Sequence, residues 1–160
     1  MNRFFRVVII AVASIMLHTT NTSFAQTSAA RQWNEVILEA IRNDFARPTV
    51  HARNLFHTSV AMYDSWAVYD LSAETYFLGK TVNGFNSEFS GIPAQGDIDS
   101  LTSKTLSYAI YRIMNHRFAS SPGFEETKEL MDSLMSSLNY DTAYTSTDYS
   151  LGNHARSEEH

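Results

Sequence analysis

The chain contains no cysteine. Disulfides, a thiol nucleophile, a cysteine-based zinc site and lipid attached through a cysteine are all excluded, so stability must come from packing. Basic residues are scarce as well, with 12 Lys and Arg against 17 Asp and Glu and no stretch that clusters them. Nucleic acid and anionic membrane surfaces require several basic contacts on one face, and neither is a predicted partner. Gly-x-Ser-x-Gly, a phosphate-cradling glycine loop and Ser-x-x-Lys are also missing, which removes the commonest nucleophile and phosphate signatures. Long apolar runs are absent after Leu17, so no membrane span is predicted once the leader is removed.

What is present begins with an address. Arg3 and Arg6 precede a mainly apolar run from Val7 to Leu17, and Ser23-Phe24-Ala25 offers a small-x-small cleavage site. This is the layout of a signal peptide over residues 1–25, predicting export to the periplasm or beyond. Cleavage would leave one domain, residues 26–160, made more acidic by the loss of two arginines. A chain of that size buries enough surface for a single core.

Helical periodicity dominates the remainder. After a flexible lead-in over residues 26–32, Trp33, Val36, Ile37, Ala40 and Ile41 recur at the spacing of one buried helix face. Pro48 ends that pattern near Arg47, because the residue before a proline is pushed out of the α region. A second helix, about Val50 to Tyr69 with Thr49 as cap, places Ala52, Leu55, Phe56, Ser59, Met62, Tyr63, Trp66 and Ala67 on one broad face, predicted to be buried. Residues 71–100, punctuated by Gly79, Gly84, Gly91, Pro93 and Gly96, are predicted to be a long ordered loop, packed across helix ends or beside a site or partner. A third helix follows a cap at Asp99 or Ser100, with Leu106, Ala109, Ile110, Ile113 and Met114 inward. Ser121-Pro122 predicts the start of a fourth, with Thr127, Leu130, Met131, Leu134 and Leu138 inward and Glu125, Glu126 and Lys128 in water. The fold class is all-α, a bundle of about four helices with a long Gly-rich loop.

Polar groups that could carry chemistry concentrate on the second helix. Arg53, His57 and Asp64 project within about 40° of one another at helical spacing. A direct His57–Asp64 bond along the helix is excluded, since seven residues at 1.5 Å rise separate them by about 10 Å. Two readings remain open: a seam whose polar groups bond across to neighbouring helices, or a pocket edge with His57 titrating near neutrality. His51, His57, Asp64 and His116 form a conceivable metal set, although His51 and His57 lie about 120° apart around a helix, unlike a zinc-binding i, i+4 pair. His154 and His160 read as surface residues. The aromatic residues Trp33, Phe56, Tyr63, Trp66, Tyr108 and Tyr111, at helical spacing, read as core.

Three segments carry a family resemblance: Trp33-Asn34-Glu35, the run Ala46-Arg47-Pro48-Thr49-Val50-His51-Ala52-Arg53-Asn54-Leu55-Phe56-His57, and Ala61-Met62-Tyr63-Asp64-Ser65-Trp66-Ala67. They resemble the N-terminal helical region of secreted vanadium-dependent haloperoxidase-like proteins, in the superfamily shared with type 2 phosphatidic acid phosphatases. Leu78-Gly79-Lys80-Thr81, Ser107-Tyr108-Ala109 with Tyr111-Arg112, His116-Arg117-Phe118 and Leu151-Gly152-Asn153 extend it from Trp33 to Asn153. The resemblance implies an all-α fold and, in a full-length relative, a vanadate or phosphate site built from Lys-x6-Arg-Pro, Pro-Ser-Gly-His and Ser-Arg-x5-His motifs.

Those motifs are not in this chain. Arg47-Pro48 is preceded by Ala40 where a lysine would stand; Ser87, Tyr111 and Met135 follow Lys80, Lys104 and Lys128 where an arginine would; and Ser121-Pro122-Gly123 is not Pro-Ser-Gly-His. No catalytic, cofactor-binding or metal-binding residue carries over, and no cofactor is assigned to the chain. The expected role is the N-terminal helical scaffold, a fragment whose partner is the missing C-terminal portion of the same domain, and the alternative is a non-catalytic helical binding module of the cell envelope.

Overall fold

The computed structural model describes residues 27–89, 91 and 96–143. The leader read at residues 1–25 and the segment 144–160, with Leu151-Gly152-Asn153, lie outside the described residues. Among those described, four helices and one small hairpin form an all-α bundle: α1 (Ala29–Arg42), α2 (Pro48–Ala67), β1 (Thr81–Val82), β2 (Phe85–Asn86), α3 (Ile98–Arg117) and α4 (Phe124–Ser137).

Helix α1 starts earlier than its apolar stripe. Ser28 Oγ accepts from the Arg31 amide at 3.3 Å, so Ala29 to Gln32, expected as flexible lead-in, are already helical. Trp33, Ile37 and Ala40 are buried as the periodicity predicts. Helix α2 begins at Pro48, whose fixed φ suits the first helical position; Thr49, the predicted cap, lies inside the first turn, and Arg47 takes the cap position without a side-chain bond.

Helix α3 is the axis on which α1, α2 and α4 all pack. Every residue from Thr105 to Met114 is buried, including the five predicted to face inward. Its cap is Asp97, which accepts from the Ser100 amide at 2.9 Å, two residues before the earlier of the two predicted caps. One polar pair inside the core links α1 to α3. Trp33 Nε1 donates to Ser107 Oγ at 2.9 Å, and that hydroxyl donates to Ser103 O at 2.7 Å.

Helix α4 buries Thr127, Met131, Leu134 and Met135. Met135 takes the place predicted for Leu130, which is exposed, because the buried arc centres between Met131 and Leu134 and Leu130 falls beyond its edge. Lys128, predicted to face water, is half-buried and pairs with Asp132. That carboxylate also accepts from Tyr111 Oη at 2.7 Å, tying α4 to α3.

Of the predicted inward face of α2 only Ala67 is buried and Met62 partly so; the rest of it points outward. Buried are Asn54, Thr58, Ala61, Asp64, Ser65 and Ala67, whereas Ala52, Leu55, Phe56, Ser59, Tyr63 and Trp66 are exposed. At 100° per residue the two arcs are centred on nearly opposite sides. Small side chains let α2 approach α3 closely, and Thr58 returns its hydroxyl to Asn54 O and Leu55 O at 3.0 Å.

Residues 71–100 are not wholly loop. Val82-Asn83-Gly84-Phe85 makes a two-residue hairpin with Thr81 opposite Asn86 and Val82 opposite Phe85. Both turn residues have positive φ, 51° at Asn83 and 85° at Gly84, as a twisted hairpin turn requires.

Helix α4 enters against the end of α1. Gly123 N donates to Asn43 O at 3.1 Å, and Ser121 Oγ reaches the same carbonyl at 3.3 Å. Ser121 therefore secures the corner, and Gly123 holds the cap position predicted for it. A Cβ at residue 123 would sit 2.5 Å from Asn43 Cβ and 2.8 Å from its carbonyl oxygen. Gly123→Ala is expected to lower unfolding free energy by about 1–3 kcal/mol, measured by urea titration; an unchanged midpoint would show that the corner yields freely.

Candidate functional site

A cleft of about 240 Å³ opens between α2, the segment around Tyr76–Asn83, and α3. Its walls are mainly apolar, with Val60 and Ala61 from α2, Phe77, Leu78 and Val82 from the connecting segment, and Ile113 from α3. Two of the three polar residues singled out on α2 line it, His57 and Asp64.

Asp64 is 3% exposed and accepts three backbone amides. Tyr76 N donates to Oδ1, while Phe77 N and Leu78 N donate to Oδ2 at 2.9 and 3.0 Å. Consecutive amides converging on one carboxylate make a small anion nest, here filled by the protein itself. The connecting segment is thereby laid along α2 and forms the outer wall of the cleft. A seam of helix-to-helix bonds was one expectation for Asp64; its partners are instead loop amides 12 to 14 residues away, and no local sequence pattern marks such a pairing.

His57 does bond across to a neighbouring helix. Arg117 Nη2 lies 2.9 Å from its Nδ1. Guanidinium only donates, so Nδ1 must accept and the neutral ring carries its proton on Nε2. Burial, then the charges of Arg117 and Arg53, hold the His57 pKa below the ordinary 6.5. Arg53 itself is exposed and acts on the ring through its field. Arg117 is a partner that the sequence pattern does not single out; its position in the last turn of α3, where cations favour the helix dipole, is the available signal.

The other proposed metal ligands are dispersed. His51 sits at the α1–α2 corner with Nε2 2.8 Å from Phe45 O and Nδ1 3.9 Å from Asp44, and His116 is exposed on α3. Among the described residues no group of three His, Cys, Asp or Glu side chains converges. Nor does the cleft suit the vanadate implied by the resemblance. An oxyanion needs several fixed cationic donors, whereas this lining offers apolar walls, a carboxylate and a histidine whose neighbouring guanidinium already donates to it.

Beside the cleft runs an exposed aromatic strip. Phe56 and Tyr76 meet edge to face with centroids 6.0 Å apart, Tyr63 and Trp66 lie 5.6 Å apart, and Tyr63 Oη donates to Glu74 O at 3.0 Å. Phe56, Tyr63 and Trp66, predicted as core, lie outside it because α3 takes up the small-residue face of α2.

Comparison of the chain with models of protein families, with curated proteins and with solved structures finds no match.

Two outcomes follow from this geometry. Asp64→Ala leaves three amides without their acceptor and is expected to cost on the order of 3 kcal/mol, with faster hydrogen exchange at Tyr76, Phe77 and Leu78; unchanged exchange would show that the carboxylate does not hold the segment. For His57, the folded state prefers the neutral ring, so its stabilising effect is complete above the unfolded value of 6.5 and is lost as pH falls through the lower folded value. Imidazole NMR should give a midpoint below 6.5 that rises in Arg117→Ala; a midpoint unmoved by that substitution would remove Arg117 as a cause.

Proposed function

We propose that this chain is the helical scaffold of an exported vanadium-dependent haloperoxidase-like or acid-phosphatase-like protein, without the vanadate- or phosphate-binding residues itself. The observation that supports this reading is the inverted α2. The most specific part of the resemblance, Pro48 to Asp64, falls within this one helix. It buries Asn54, Thr58, Asp64 and Ser65 and leaves Leu55, Phe56, Tyr63 and Trp66 at 38%, 53%, 43% and 44% exposure. On that face Phe56 meets Tyr76 and Tyr63 meets Trp66, and an exposed apolar helix face is a place where further protein packs. In this reading the outer face of α2 receives the part of the enzyme that carries the cationic oxyanion donors, and the leader delivers the whole to the periplasm or outside the cell.

The coding sequence beyond codon 160 tests the proposal. Lys-x6-Arg-Pro and Ser-Arg-x5-His segments are expected to follow, and their absence in every frame would remove its basis. The purified 160-residue chain, given vanadate, peroxide and bromide or an aryl phosphate, is expected to turn over neither; turnover of either would place the reactive groups within it.

The cleft favours a second reading, a non-catalytic helical binding module of the cell envelope whose contact surface is the segment between α2 and α3. Tyr76, Phe77, Leu78, Val82 and Asn83 from that segment line it. A module of this kind melts cooperatively as a monomer, whereas a dye-binding, non-cooperative species counts against it.

A further inference from the structure

We infer that the cleft beside His57 is a binding site for a small, uncharged aromatic molecule bearing one oxygen acceptor, such as an aryl ketone, whose oxygen accepts from His57 Nε2–H. The inference rests on the cleft alone and stands under either reading of the chain's role.

Size sets the first limit. The volume of about 240 Å³ exceeds the roughly 150 Å³ of a dry cavity that admits one benzene. It falls short of the roughly 300 Å³ at which drug-sized pockets begin. One ring with a short substituent fits that interval.

The walls set the second limit. Val60, Ala61, Phe77, Leu78, Val82 and Ile113 present carbon to an occupant, and burial of ring surface against them supplies the driving force. Phe56 and Tyr76, meeting edge to face, stand at the exposed lip. Their rings give an entering aromatic molecule edge and face contacts of the same kind.

Hydrogen-bonding inventory sets the third. Both Asp64 oxygens already accept amides from the connecting segment, and that carboxylate is 3% exposed. The Asn83 side chain is exposed at the rim. His57 differs. Its Nδ1 is taken by Arg117, which fixes the tautomer and leaves Nε2–H as a donor whose direction is held from behind. A ligand acceptor that meets it satisfies a half-buried polar group with no protonation change.

Charge sets the fourth. An anionic ligand would be brought beside the Asp64 carboxylate, and a cation would approach the Arg117 and Arg53 charges that surround His57. Neutral molecules meet neither penalty, which selects a ketone, aldehyde or ester oxygen over a carboxylate or an amine.

Acetophenone is the probe, compared with cumene, which has a methyl group in place of the carbonyl oxygen. Methyl NMR of the full chain, above the His57 midpoint, should show saturable shifts at Ile113, Val60 and Val82 on adding acetophenone. The ratio of cumene to acetophenone dissociation constants should fall about fivefold in His57→Phe, the worth of one neutral hydrogen bond, and hold within about twofold in His57→Gln, which keeps an N–H donor. Val60→Trp fills the cleft and should abolish the shifts. Val82→Trp, on the hairpin, does the same if the helix variant fails to fold by circular dichroism. Shifts that never saturate, that persist in the filled variants, or a ratio unchanged in His57→Phe would each overturn the assignment.

Discussion

One buried carboxylate sets the course of the connection between α2 and α3. Asp64 gathers the amides of Tyr76, Phe77 and Leu78, and in doing so anchors the long connection between α2 and α3 on the bundle, with Tyr63 holding Glu74 O beside it. The anchor fixes where the apolar residues of the connection, Phe77, Leu78 and Val82, meet the bundle. With it, the hairpin of β1 and β2 stands over α2, the cleft acquires its outer wall, and Leu78 is buried. Charge-assisted bonds are the strong class of hydrogen bond, and three on one group outweigh the entropy of ordering a few residues of chain.

The same geometry explains why α2 is built backwards. A helix flanked by one neighbour normally turns its largest apolar residues inward. Here the inward side must pass close to α3, which is apolar or buried all round over Thr105 to Met114, and must also carry the acceptor for the connection. Ala61, Thr58 and Ser65 meet the first demand through their size, and Asp64 meets the second. Phe56, Tyr63 and Trp66 are left outside the core, Phe56 against Tyr76 and Tyr63 against Trp66.

His57 stands between these two arrangements. It lies between Asp64 and Ala61 around α2, half-buried, lines the cleft, and receives Arg117 from α3. Burial and two guanidinium charges keep its ring neutral to lower pH than usual. The ring therefore serves both readings weighed from the sequence: it bonds across a helix seam through one nitrogen and offers the other to a pocket.

The amino-acid sequence by itself determined the helices and much of their core. Trp33, Ile37 and Ala40, and Leu106 through Met114, repeat at a spacing that only a helix can align, and Pro48 marks the corner because proline cannot continue one. It also carried the Asn83-Gly84 turn, a local signal that the broader glycine pattern of residues 71–100 obscured. Caps proved displaced by two or three residues, since Asp97 and Asp99 are equally suitable chemically and the sequence carries no local feature that distinguishes them. The orientation of α2, the partners of Asp64 and the Arg117–His57 bond were decided by tertiary structure. Each depends on residues 12 to 60 positions apart, and hydrophobic periodicity describes one helix without reference to how close its neighbour must come. Where a close approach outweighs the burial of large rings, amphipathicity points to the wrong face, and only the assembled bundle reveals which constraint prevails.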